Sequence, residues 1–238
     1  MEKIYIHKFN RSDIEKNESK FKKLLPEWRR DKAEKYKAPG ARQESIAAGR
    51  LLVMALAAES GLSEKEVTNL LDSDKHSTDE RYMISATGRL YYNITHSGNY
   101  VAVAGSGQPV GLDLETKEDK DFRVTGRMFT EAEKQYVNND QDRFRNVWTI
   151  KESFLKCTGE GIRVPLNSFS MDMESGSDIS GDQGYETYRY RLCSLGYDMA
   201  GKDYYTAVAT LCPGECSLSI CSLNPNIKLD IEWVEVLI

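Results

Sequence analysis

Histidine is scarce, with three residues in 238; tryptophan also numbers three and proline six. His7, His76 and His96 lie far apart in the chain, which argues against a zinc enzyme built on a histidine cluster. Cysteine numbers five: Cys157, Cys193, Cys212, Cys216 and Cys221. The count is odd and no CxxC occurs, so neither a disulfide framework nor a zinc knuckle is indicated, and the run CPGECSLSIC reads as a strand carrying reduced thiols. The longest unbroken apolar run, Leu51–Ala58, is far short of the roughly 18 residues that suggest a membrane span. The opening MEKIYIHKFN has no apolar signal core, so a cytoplasmic protein without membrane attachment is expected. Also missing are a Walker-type phosphate loop and a GxGxxG fingerprint. There is no basic excess either: the net charge is −5, and bulk nucleic-acid binding is not expected.

What is present suffices for a folded domain or two. Apolar residues make up 40% and charged residues 29% of the chain, enough for a sizeable core. Charge is spread unevenly. Lys22–Arg42 carries eight Lys/Arg against three acids, a local +5 that leaves −10 for the remainder. Such a patch on an acidic chain reads either as a site for a discrete anionic ligand or as a solvated helix face.

The order of elements repeats. After a strand at Lys3–Lys8, Ser12–Tyr36 looks helical with a break at Pro26, and the stretch ARQESIAAGRLLVMALAAES reads as a helix stopped by Gly61. Ser63 and Glu66 form a capping box. Strands follow at 90–95 and 100–105, then at 109–115. Thr130 and Glu133 make a second capping box, and Arg143–Thr158 reads as a helix ended by glycines, with further strands to the end. Helices followed by a small sheet, twice over, give an α+β fold of two similar halves, 1–108 and 109–238.

Three carboxylates stand out. Asp113 and Glu115 are two apart on a strand, so they share a face, with Leu112 and Leu114 on the other. They are either a solvated strand face or a pair that needs a cation between them. Glu152 and Lys156 are four apart on a helix and share its face, as an ordinary ion pair or as a metal ligand and a phosphate contact. His96, at the end of a strand before Ser97-Gly98, is either a phosphate donor or a turn cap.

The stretches NITHSGNYVAVA, GLDLE, FTEAEK and WTIKESFLKCTGEGI, in that order, resemble the motifs of the large Sfp-type 4′-phosphopantetheinyl transferases. That resemblance implies two α/β halves related by a pseudo-twofold, with coenzyme A in the cleft between them. It implies Mg²⁺-dependent transfer (Mn²⁺ as an alternative ion) of the phosphopantetheine arm to a serine of an apo acyl or peptidyl carrier protein, by a monomer, with 3′,5′-ADP released. By position, Asp113, Glu115 and Glu152 match the metal ligands. Asp113, Glu152 and Lys156 are then the catalytic residues, Glu152 as base and Lys156 at the departing phosphate, with Lys151 assisting. Thr95 and His96 fall where the family contacts the pyrophosphate, Arg89 replaces a family lysine, and Arg29, Lys32, Arg42 and Ser45 fall near the 3′-phosphate or adenine. The first half thus holds coenzyme A contacts and the second the metal and catalytic residues. Phe122, Met128 and Phe129 are candidates for a carrier dock, or else ordinary core. The rival expectations are a coenzyme A or carrier-binding module without transfer, and another Mg²⁺-dependent phosphotransferase.

Overall fold

The computed structural model describes residues 2–73, 76–77, 81–117, 125–180, 185–211 and 214–237. The chain divides into two compact units, Met1–Gln108 with Asp230–Ile238, and Pro109–Leu229. Each has its own sheet and helices, so the expected α+β class is borne out.

Unit 1 begins with β1 (Lys3–Lys8) and four helices: α1 (Arg11–Lys23), α2 (Glu27–Lys35), α3 (Pro39–Ser60) and α4 (Glu64–Leu71). Asn10 caps α1 by accepting from the Ser12 amide at 2.9 Å. Pro26 divides α1 from α2, as its ring dictates. Gly61 closes α3 at φ 70°, a backbone state that side chains other than glycine's disfavour. The Ser63–Glu66 box opens α4. Strands β2 (His76–Ser77), β3 (Tyr82–Ser85), β4 (Gly88–Ser97) and β5 (Tyr100–Ser106) follow. No single helix among the described residues is long and apolar enough to cross a membrane.

Unit 2 runs through β6 (Val110–Thr116), α5 (Thr125–Met128), α6 (Glu131–Val137), α7 (Gln141–Thr158), β7 (Phe169–Met171), β8 (Ser177–Asp178), β9 (Thr187–Ser194), β10 (Tyr204–Leu211) and β11 (Cys216–Ser222). Its sheet has the order β6-β11-β10-β9-β7, with β8 beside β9. Helix α7 lies along β6, β11 and β10, over a core that includes Phe144, Phe154, Phe169, Val208 and Cys221.

The last residues go with unit 1, not with the stretch before them. Strand β12 (Ile231–Trp233) pairs in parallel with β1 and completes the sheet β12-β1-β5-β4-β3-β2. No pattern at 230–238 signals this, because three residues are too few for a period.

Candidate functional site

The sequence-predicted residues gather in two places, one in each unit. In unit 2, β6 alternates. Gly111, Asp113 and Glu115 face α7, and Leu112 and Leu114 point the other way, buried. The carboxylates therefore lie on the helix-covered face, not on a solvated one. Gly111 permits this. A Cβ there would stand 1.8 Å from the Ser153 carbonyl oxygen and 2.4 Å from the Cys157 nitrogen, both backbone atoms of α7. Glycine thus lets helix and strand backbones touch.

That contact brings α7's stripe onto β6's carboxylates. Lys156 Nζ donates to Asp113 Oδ1 at 2.6 Å and to the Leu112 carbonyl at 3.1 Å, across 43–44 positions of sequence. Glu152, one turn earlier, has its carboxyl pushed above the usual range, first by burial and then by the negative charge of Asp113; Glu115 adds to this and Lys156 opposes it. Asp113 is 6% exposed. Three carboxylates and one ammonium leave the cluster net negative. Among the described residues, no group of three or more His, Cys, Asp or Glu stands as a ready-made metal cage. Hard oxygen donors with excess negative charge nevertheless fit an ion such as Mg²⁺, which takes one or two protein carboxylates and fills its octahedron with water or phosphate oxygens.

Lys151 does not join them. It is fully buried, and its ammonium donates to the Leu166 carbonyl (2.7 Å), the Phe169 carbonyl (2.8 Å) and the Glu133 carboxylate (2.9 Å). All three N–H groups are spent, so the expected contact with coenzyme A is corrected to a structural one. Glu133 is equally buried and accepts from the Thr130 amide, Ser170 Oγ and the Met171 amide as well. The capping box was legible in the sequence. Its use to hold a lysine of the next helix was not.

In unit 1, Trp28, Arg29, Lys32, Arg81, Tyr92, Ile94 and His96 line a cavity of about 330 Å³. Three cations meet there, and among the described residues of the lining none is a carboxylate. Arg29 is 4% exposed, and its Nη2 donates to the Ser45 carbonyl at 2.7 Å. Its Nε is buried with no partner among the described residues. Burial lowers the Arg29 pKa to about 10. Lys32 is lowered by burial and then by the charges of Arg29 and Arg81. A pocket that destabilises its own cations favours an anion. His96 sits at this cavity with Nδ1 3.3 Å from Glu44 Oε2.

Four other candidates keep different company. Arg42 pairs with Glu18 at 3.3 Å and does not line the cavity. Ser45 is 2% exposed and contributes its carbonyl rather than its hydroxyl. Arg89 lies over the Tyr82 ring at 4.4 Å, and it is Arg81 that joins Arg29 and Lys32 at the cavity. Thr95 is buried on the face of β4 opposite to Tyr92, Ile94 and His96, since neighbours on a strand alternate. Arg81 carries no pattern in the sequence, since it ends the polar loop DSDKHSTDER and lies outside the basic stretch. Phe129 is core, 2% exposed and 5.2 Å from the Phe144 ring, and Met128 packs against the same core. Phe122 lies outside the described residues.

Residues 109–209, which hold the carboxylate cluster, match the family model described as the 4′-phosphopantetheinyl transferase superfamily. The chain is similar to the Sfp-type 4′-phosphopantetheinyl transferases. A 4′-phosphopantetheinyl transferase of Bacillus subtilis is 30% identical over 140 residues, covering 56% of this chain and 60% of the relative. The 4′-phosphopantetheinyl transferase gsp of Aneurinibacillus migulanus is 31% identical over 123 residues, 44% and 52% of the two chains. Sfp of Bacillus subtilis strain 168 is 34% identical over 95 residues, 38% and 42%. The chain thus spans between about two fifths and three fifths of these relatives' lengths. The superfamily match begins at β6 and runs into β10, so the Gly111 contact, the carboxylates and Lys156 all lie inside it.

Proposed function

We propose that the protein transfers the 4′-phosphopantetheine arm of coenzyme A to a serine hydroxyl of an apo acyl or peptidyl carrier protein, releasing 3′,5′-ADP. One observation carries the reading. Direct contact of β6 with α7 at Gly111 joins Asp113, Glu115, Glu152 and Lys156, and these residues lie within the segment that matches the 4′-phosphopantetheinyl transferase superfamily model.

Asp113, Glu115 and Glu152 would hold Mg²⁺ or Mn²⁺, an ion that neutralises charge on a phosphate under attack. The chain's own groups supply the rest. Glu152, with its carboxyl raised by burial, is suited to accept the proton of the carrier serine. Lys156, part-buried beside Asp113, offers an ammonium to the departing phosphate oxygen. In unit 1, Arg29, Lys32 and Arg81 offer three positive charges to the 3′-phosphate, with Trp28 and Tyr92 alongside for the adenine. The proposal includes a monomer working in the cytoplasm, with coenzyme A and the carrier as partners.

The test is to mix the protein with apo carriers of fatty-acid, polyketide and peptide synthesis, coenzyme A and Mg²⁺, and to weigh each carrier by mass spectrometry. One carrier at least should gain the phosphopantetheine mass. Glu152→Gln should unfold at the wild-type temperature yet leave the carrier unmodified, and Lys156→Ala should lower kcat more than it raises the KM for coenzyme A. Unchanged carriers throughout, or full transfer by Glu152→Gln, would refute the reading.

A further inference from the structure

Strand β11 sets one serine against each carboxylate of β6. Ser219 lies across from Asp113 and Ser217 across from Glu115, so the triplets Ser-Leu-Ser and Asp-Leu-Glu face each other in register. Directly opposed side chains share a sheet face, with Cβ atoms about 4.5–5.5 Å apart. Both serines are fully buried.

Their hydroxyls differ. Ser219 Oγ is bonded to Ser153 Oγ at 3.1 Å and to Thr206 Oγ1 at 2.8 Å, in a hydroxyl chain that joins α7 to β10. Ser217 Oγ has no hydrogen-bond partner among the described residues. Its neighbour on the other side, Thr210, is directed to Asn146 Oδ1 at 3.5 Å. A buried hydroxyl left in this way is destabilising. Alanine would fill the position without that cost, so stability gives no reason for a serine.

We propose that Ser217 is a positioning residue for Glu115: once a divalent cation is bound, its hydroxyl turns to donate to one oxygen of that carboxylate while the other oxygen faces the ion. The inference rests on the metal reading given above. The reach is suitable, because a serine Oγ and a glutamate carboxylate on opposed Cβ atoms come within hydrogen-bonding distance in ordinary rotamers. A fixed carboxylate loses less freedom on binding the ion, and partners that orient metal ligands are typically worth about 10–100-fold in metal affinity.

The experiment compares wild type, Ser217→Ala, Glu115→Gln and the double variant. Thermal unfolding is measured without metal, and Mn²⁺ binding is measured by electron paramagnetic resonance with coenzyme A present. Ser217→Ala should unfold at or above the wild-type temperature and bind Mn²⁺ about tenfold more weakly. In the Glu115→Gln background the same substitution should leave Mn²⁺ affinity unchanged. Wild-type Mn²⁺ affinity in Ser217→Ala would overturn the proposal, as would an equal loss in both backgrounds. A wild-type protein that binds no Mn²⁺ would instead overturn the metal reading, and this inference with it.

Discussion

Adjacent residues of α7 meet opposite fates. Lys151 is sealed against Glu133 and two carbonyls, while Glu152 turns toward Asp113. The motif shows a lysine beside a glutamate and cannot show which is structural, since that depends on what packs on each side of the helix. Glu133 needs its partner: Lys151→Met would leave a fully buried carboxylate without a countercharge, a loss of about 3–5 kcal/mol. Chemical denaturation should show that loss, and Glu133→Gln added to Lys151→Met should recover most of it; a small loss would mean that the pair is dispensable. The same residue-scale logic separates Arg81 from Arg89. Only Arg81 lines the cationic cavity, so Arg81→Gln should raise the KM for coenzyme A about tenfold, the worth of one charged hydrogen bond, and Arg89→Gln should not. The difference should vanish with coenzyme A lacking its 3′-phosphate. A pattern match alone favoured Arg89, because the neighbouring Gly88 imitates the family's Gly-Lys pair, whereas the sheet register carries that arginine to the Tyr82 ring.

Periodicity made the elements readable where they obey it. The break at Pro26, the stop at Gly61, both capping boxes and the alternation of β6 follow from local rules, and the structure has each of them. The alternation did not reveal which face of β6 would be covered by a helix. That answer lies in Gly111, together with the serines and threonine of β10 and β11, whose small side chains let α7 settle onto the carboxylate face. Gly111→Ala therefore tests the element pair as a unit. The added methyl meets backbone and not a yielding side chain, so α7 must retreat from β6. Overpacking of this kind costs about 1–3 kcal/mol, and a displacement of about 1 Å between reacting groups can cost a hundredfold in rate. A lowered Tm and a loss of transfer far beyond that stability change are expected. Wild-type kcat in Gly111→Ala would show that the close approach does not set the site.

At the scale of the whole chain, the feature least visible in the sequence is the return of 230–238 to unit 1. Strand β12 pairs with β1, Leu237 is 3% exposed in the unit 1 core, and Arg50, 1% exposed, donates to the Leu237 carbonyl at 3.2 Å and to Glu64. His7 Nδ1 lies 2.6 Å from the Val234 carbonyl. Burial holds the His7 pKa below its ordinary 6.5, with the Val234 bond opposing the shift. The folded state therefore binds fewer protons here than the unfolded chain, so this contribution is intact above pH 6.5 and declines as pH falls toward the lowered value. Between pH 7 and 5, His7→Gln should lose less Tm than wild type; equal slopes would exclude His7 as a source of acid sensitivity. The sharper test removes the segment. A variant ending at Leu229 gives up the parallel pairing, exposes the core around Leu237 and leaves the buried Arg50 guanidinium short of an acceptor. Leu237→Ala alone should cost about 2–5 kcal/mol. Hydrogen exchange of the shortened variant should show amides of β1, α3 and β5 losing protection before those of β10 and β11, because only the first group belongs to the unit that the segment completes. Unaltered protection in β1 would mean that residues 3–108 hold their fold without the returning strand.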